Sequence, residues 1–176
     1  MIENVILVDQ NDQEIGVMEK MQAHREAVLH RAFSVFLWNE NNELLLQKRQ
    51  IDKYHCGGLW TNTCCSHPKV GETLQQAVDR RLDEEMGVTC DSNWIYSFIY
   101  KADLGNGLFE HEFDHVYFGE YSGAPNPNTT EVEDWKYMGI DALKQDIVEN
   151  PYHYTPWFKI ILKEVLAKGI LTKTLN

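Results

Sequence analysis

The stretch TLQQAVDRRLDEEMGV, residues 73–88, is where the hydrophobic period of this chain changes. Leu74, Ala77, Val78, Leu82 and Met86 fall at helical spacing, whereas the segments on either side are β-branched and aromatic. Thr73 stands where a helix needs an N-cap oxygen, and Gly87 where it needs a left-handed C-cap. The pattern predicts an amphipathic helix inserted between strands. Its last turns carry Arg80, Arg81, Asp83, Glu84 and Glu85. Taken alone, that run describes a solvated face with i,i+4 ion pairs.

Upstream, NVILVD (4–9) and EIGVMEK (14–20) read as strands joined by a turn at QNDQ. HRAFSVFLW (30–38) and ELLLQKR (43–49) form a second hairpin around NENN. Residues 50–70 follow no period and contain Gly57, Gly58 and Pro68, so they predict a long loop of the kind that carries function. Downstream, WIYSFIYKA (94–102), EFDHVYFGEY (112–121) and EDWKYMG (133–139) predict strands, and IDALKQDIVEN (140–150) and TPWFKIILKEVLAK (155–168) predict helices. Strands interleaved with three helices predict an α/β (α+β) sandwich, a mixed sheet flanked by helices, in one domain over residues 1–176.

The net charge of −11 over 176 residues argues against nucleic-acid or anionic-membrane surfaces, which need basic patches. A small anionic ligand stays open, provided a metal or a few basic residues reverse the field locally. The N-terminal MIENVILVDQ has no basic region followed by a long apolar run, and no apolar stretch approaches the roughly 18 residues of a membrane span. A cytoplasmic chain is expected, with Cys56, Cys64, Cys65 and Cys90 as free thiols or ligands. No paired C-x-x-C appears, so a structural zinc knuckle is excluded.

Context changes the reading of the charged helix. Ser66, then Glu72, then RRLDEEMGV approximates the Nudix box, with Ser66 in place of a glycine and Arg81 in place of an acid. In that pattern the helix aims carboxylates at a divalent ion that grips a diphosphate. A box lacking one acid predicts a diphosphate that is bound without being hydrolysed. A second cluster is histidine-rich. His24, His30 and His67 lie near strand ends, and the alternation of FEHEFDHVYF (109–118) sends Glu110 and Glu112 to one face. Three histidines and two glutamates on one face make an N/O site for a divalent metal. His55, His111, His115 and His153 have no such company and read as structural or surface residues.

AVLHRAFSVFLWN, LLLQKR, LWTNTCCSHP, ETLQQAVDRRLDEEMGV, EHEFDHVYF and TPWFKIIL together resemble type I isopentenyl diphosphate isomerase, from about residue 4 to 165. The resemblance implies a Nudix-like fold and interconversion of isopentenyl and dimethylallyl diphosphate, with a proton added at one carbon and another removed two carbons away, on opposite faces. It implies Cys65 and Glu112 as the proton-transfer pair, with Tyr100 beside Glu112 and Trp157 as an aromatic wall for a tertiary carbocation. A thiol suits this work where a nearby metal or cation draws its pKa towards neutral. Cys64, its neighbour, should point away and pack. The implied metal ligands are His24, His30, His67, Glu110 and Glu112, holding Mn2+, Mg2+ or Zn2+. Glu85 would lie near a Mg2+ that arrives with the diphosphate, and Lys20, Arg49, Lys53 and Arg81 would contact the phosphates. Ligands other than the two diphosphates, nucleic acid and membrane included, are not expected, and the chain would be a monomer or a weak homodimer. A true Nudix hydrolase and a non-catalytic metal- or thiol-binding module are the competing readings.

Overall fold

The computed structural model describes residues 3–169. Its centre is β3 (His30–Trp38), buried almost throughout. Alternate side chains of a strand face opposite ways, so β3 serves two cores. Phe33, Val35 and Leu37 pack with Ala77, Val78, Leu82 and Met86 of helix α2 (Leu74–Met86). Phe36 and Trp38 pack with Trp157, Phe158 and Ile161 of helix α4 (Pro156–Ala167). Each such buried side chain contributes roughly 1.5–3 kcal/mol, so the two helices hold the sheet from both faces.

The expected mixed sheet, flanked by helices, is present. β8 (Leu108–Glu120) runs parallel to β3 from His30↔Glu112 to Trp38↔Glu120. β7 (Ser92–Gly105) returns antiparallel to β8 through Asn106–Gly107, both at positive φ (54° and 74°), as a tight hairpin turn requires. The hairpin of β1 (Asn4–Val8) and β2 (Glu14–Glu19) joins at Leu7↔His30. On its other side β3 meets β4 (Glu43–Arg49) only at Trp38↔Leu44, and β4 turns away to pair with β5 (Trp60–Thr61) and β9 (Val132–Gly139).

The fork between β3 and β4 is filled by β6 (Cys64–Ser66), which pairs with Phe33–Val35. Thr63 fastens this insert: its Oγ1 accepts from Leu37 N–H at 3.0 Å and donates to the Leu45 carbonyl at 2.6 Å. The 50–70 segment, read as a loop, therefore contains two short strands. Their pairing is with residues far along the chain, so no local pattern announces them.

Helix α2 begins with a capping box. Thr73 Oγ1 accepts from Gln76 N–H, and Gln76 Oε1 accepts from Thr73 N–H. It ends at Gly87, φ 60°, where a Cβ would lie 2.4 Å from the Asn126 carbonyl oxygen. Only glycine fits. Among the described residues there are four α-helices, not three. The additional one, α1 (Lys20–Glu26), has no apolar stripe. It is capped by the Glu19 side chain, which accepts from Met21 and Gln22 N–H, and it stops at Ala27 with φ 52°. The remaining helix, α3 (Ile140–Glu149), leads through a 3-10 turn at Pro151–His153 into α4. No helix among the described residues is long and apolar enough to cross a membrane.

Candidate active site

Strand register assembles the first cluster. Tyr100 of β7, Glu112 of β8 and His30 of β3 are successive partners across three strands. All three are buried, as is Glu110 one pleat away. Tyr100 donates its hydroxyl hydrogen to Glu112 Oε2 at 2.5 Å. His67 Nε2 lies 3.0 Å from Glu112 Oε1, and His24 Nε2 lies 3.0 Å from Glu110 Oε2. His30 Nε2 is 3.7 Å from Glu112 Oε1 and 4.0 Å from Glu110 Oε2.

Two of these imidazoles are oriented from behind. His24 Nδ1 meets the Lys20 carbonyl at 2.7 Å, and His30 Nδ1 meets the Val28 carbonyl at 2.8 Å. A carbonyl can only accept, so each Nδ1 carries the hydrogen and each Nε2 a lone pair. Those Nε2 atoms and Glu110 Oε2 are buried and find no hydrogen-bond donor. One ligand atom each from His24, His30, His67 and Glu110 lies within a 4.8 Å span. Bonds of about 2.1 Å to a six-coordinate ion put neighbouring ligands about 3 Å apart and opposed ones about 4.2 Å apart. The separations of Glu110 Oε2 from the His24 and His30 nitrogens, 3.0 and 4.0 Å, fit that frame. Burial pushes the Glu110 carboxyl up, and Glu112 adds to it. Burial also pushes Glu112 up, but the neighbouring His30 and His67 rings outweigh it and hold that carboxyl well below its usual range. Burial drives His67 down to about 4.

The second cluster grows from Thr61, the last residue of β5, and Asn62, which follows it. Asn62 donates from Nδ2 to the carbonyls of Val35 and Cys64, at 3.0 and 2.9 Å. Its Oδ1 is thereby turned towards Cys65, whose Sγ–H donates to it at 2.8 Å. Thr61 also donates to Asn62 Oδ1, at 3.0 Å, and Thr61 Oγ1 accepts from Trp157 Nε1 at 3.1 Å. One network thus fixes both Cys65 and Trp157. Burial pushes the Cys65 thiol well above its ordinary value, the Ser34 hydroxyl opposing and the Asp114 carboxylate reinforcing. Among the described residues burial is the largest influence on the sulfur, and it favours the protonated thiol. Cys64 points into the α2-side core and is fully buried, as alternation predicted.

Both clusters face one cavity of about 310 Å³. Every residue read as a site residue lines it except His30, which stands behind His24 and Glu112. Lys20, Arg49, Lys53 and Arg81 are all there, each near a polar or aromatic partner. Lys20 lies 3.1 Å from Glu3, Lys53 pairs with Glu131, and Arg49 Cζ sits 5.1 Å from the Trp157 ring centre. Arg81 reaches Glu85, Glu84 at 2.8 Å and Glu131 at 3.6 Å. Glu85 Oε2 also accepts from Gln47 at 2.8 Å.

A NUDIX domain model matches residues 28–158. Isopentenyl-diphosphate Delta-isomerase 1 of Aromatoleum aromaticum is 50% identical over 167 residues, 95% of this chain and 94% of that relative. The chain belongs to the NUDIX-fold isopentenyl-diphosphate Delta-isomerase family. The Delta-isomerase of Pectobacterium atrosepticum is 47% identical over 161 residues, 92% of this chain and 90% of that protein. Among solved structures, DR0079 of Deinococcus radiodurans has a TM-score of 0.76 at 19% identity, covering 92% of this chain and 98% of its own. The MutT protein of Methanosarcina mazei has 0.65 at 15% identity, covering 80% and 95%. At those identities the two structures speak for the fold alone.

Within this Delta-isomerase family fold, Glu131, Glu3 and His55 are among the cavity residues that escaped the sequence reading. Glu131 and Glu3 come from segments with no periodic signal and reach the cavity only through the tertiary fold. His55, read as structural or surface, is buried and lines the cavity. The other three set-aside histidines stay outside it: His111 meets the Ala27 carbonyl at 2.8 Å, and His115 lies 3.0 Å from Asp12.

Proposed function

We propose that this chain interconverts isopentenyl and dimethylallyl diphosphate by adding and removing protons on opposite faces of the allyl unit. One observation carries the reading. Cys65 on β6 and Glu112 on β8 flank β3 on its two sides, through Ser34↔Cys65 and His30↔Glu112, and both line one cavity with Trp157. The reaction needs two proton-transfer groups on different walls of an apolar slot, and this arrangement supplies them.

Proton delivery to the terminal alkene carbon uses the π pair to form the new C–H bond and leaves positive charge on the tertiary carbon. Removal of a proton two carbons away turns that C–H pair into the shifted double bond. Cys65 Sγ and the Glu112 carboxyl are the two exchanging groups, and the reverse direction swaps donor and acceptor. Tyr100 fixes the Glu112 carboxyl through its hydroxyl. Trp157, 3% exposed, presents a π-face to the developing charge and helps to exclude water that would capture it. Lys20, Arg49, Lys53 and Arg81 hold the diphosphate. His24, His30, His67, Glu110 and Glu112 would hold a divalent ion, and Glu85 a Mg2+ carried with the diphosphate. Bound there, the ions would supply the positive charge that offsets the clustered carboxylates and the substrate.

The test is formation of dimethylallyl diphosphate from isopentenyl diphosphate, with and without chelator. Turnover that chelation abolishes and divalent metal restores is expected. Phosphate or monophosphate release from a nucleoside diphosphate panel, with no isomerisation, would instead establish a hydrolase.

A further inference from the structure

His55 sits among the site residues with no assigned work. Its side chain is 7% exposed, and its Nδ1 finds no hydrogen-bond partner. The loop between β4 and β5 is shaped to bring it there. A Cβ on Gly57 would lie 2.2 Å from the Ile51 carbonyl oxygen, and Gly58, at φ 75°, returns its N–H to the Arg49 carbonyl at 3.0 Å. The loop so folded turns the His55 ring inward. It stacks on His24 with centroids 6.1 Å apart and meets Trp157 edge-on at 5.6 Å. Its Nε2 faces Glu110 Oε1 at 3.9 Å.

The two oxygens of Glu110 are thereby divided. Oε2 is aimed at His24 and His30, while Oε1 is aimed at His55. A carboxylate that gives one oxygen to a cation is held in place by a donor on the other. We infer that His55 is the positioning residue for Glu110, its Nε2–H holding Oε1 so that Oε2 faces the histidines. The present gap is about 1 Å longer than a hydrogen bond, a distance that rotation of the carboxylate spans as Oε2 is drawn to an ion. This inference rests on reading the His/Glu cluster as a divalent-metal site.

The experiment is a chelator-competition titration of the full chain with Mn2+ and, separately, Zn2+, with no substrate present. Four proteins are compared: the parent, His55→Leu, His55→Gln and His55→Asn. A glutamine amide places an N–H where Nε2–H stands, whereas an asparagine amide reaches only the Nδ1 position. Loss of a ligand-orienting partner typically costs 10–100-fold in metal affinity. His55→Leu and His55→Asn should therefore raise Kd by roughly that factor, and His55→Gln should stay within about threefold of the parent. Should Gln and Asn bind alike, whether both strong or both weak, His55 is a packing residue and the inference falls while the metal site stands. Should the parent itself bind neither ion, the metal-site reading falls and takes this inference with it. The Gln–Asn comparison decides the matter even where the Leu variant does not fold.

Discussion

Replacing Trp157 by phenylalanine and, separately, by leucine isolates what its ring contributes. Both variants lose the indole N–H that donates to Thr61 Oγ1 at 3.1 Å. The loss is equal in the two, and Thr61 still accepts from Thr155 Oγ1 at 3.1 Å and donates to Asn62, so it cancels in their comparison. Phenylalanine keeps a π-face; leucine keeps apolar bulk without one. The site already shows that this ring takes a cation, since Arg49 Cζ stands 5.1 Å from its centre. A desolvated cation–π contact is worth about 2 kcal/mol, which is roughly thirtyfold in rate. The charge that needs the ring exists only as the proton is transferred. The difference should therefore fall on kcat and leave KM nearly unchanged. Steady-state formation of dimethylallyl diphosphate supplies both constants. A diphosphate analogue with a tertiary ammonium at the cationic carbon carries permanent charge, so the leucine variant should bind it about thirtyfold more weakly than the phenylalanine variant. Agreement of the two variants within about threefold in both kcat and analogue affinity would make Trp157 a packing residue and refute the reasoning.

Cys65→Ala should abolish turnover with the fold intact, whereas Cys64→Ala should keep most activity and lose about 1 kcal/mol of stability from the α2-side core; a dead Cys64 variant beside a live Cys65 variant would reverse the assignment. Tyr100→Phe removes the hydroxyl hydrogen that Glu112 Oε2 accepts. A hydrogen bond to a charged group is worth about 1.5–3 kcal/mol, so kcat should drop on the order of 10–100-fold, and a change under threefold would leave Tyr100 no part in holding Glu112. Glu72 makes two bonds to Arg80, at 2.7 and 2.8 Å, which hold its carboxyl below the ordinary 4.5. A lowered folded pKa stabilises above the unfolded value and is lost as pH falls through the folded one. The stability deficit of Glu72→Gln should therefore be full at neutral pH and shrink as pH falls below 4.5, as followed by denaturant unfolding; a deficit independent of pH would show that the ion pair is not its source.

What the sequence made legible was what local chemistry writes. Helix α2 carries its stripe, its Thr73 cap and its Gly87 stop within one short stretch, so its bounds could be read to within a residue. β3 could be read because its nine residues include Phe33, Val35, Phe36 and Trp38 and end at the turn cluster NENN. The face shared by Glu110 and Glu112 followed from the period of a strand, with no knowledge of partners. Helix α1 was illegible for the opposite reason: seven residues with a glutamate cap and no apolar stripe leave no periodic signal, although His24 depends on it. β5 and β6 are held by Gln47, Lys48 and Phe33–Val35 across the fork, and two or three residues cannot announce such pairing. His55 was passed over because its neighbours His24 and Trp157 come together only once the β4–β5 loop closes on Gly57. That glycine pair was the available signal: two adjacent glycines after a histidine mark a loop that folds back tightly.

The departure from the Nudix pattern at Arg81 and the Cys65–Glu112 pair are two sides of one arrangement. A hydrolase of this pattern places a carboxylate at that slot, adding to the negative charge that gathers divalent ions against a phosphate. Here the slot holds a permanent cation that lies on Glu84 and Glu85 and approaches Glu131 at 3.6 Å. An arginine there neutralises the helix acids and offers a planar donor fork to a diphosphate, but it cannot ligate an ion or activate water. Under the proposed function the helix grips the diphosphate and does not cleave it. In the proposed mechanism the reactive groups stand at the other end of the bound molecule, on β6 and β8, where a hydrocarbon tail would meet a thiol, a carboxylate and an indole in place of water. The fold alone, shared with proteins at 15–19% identity, does not decide between these chemistries; under the proposed reading the charge at residue 81 and the Thr61–Asn62–Cys65 network are what separate them.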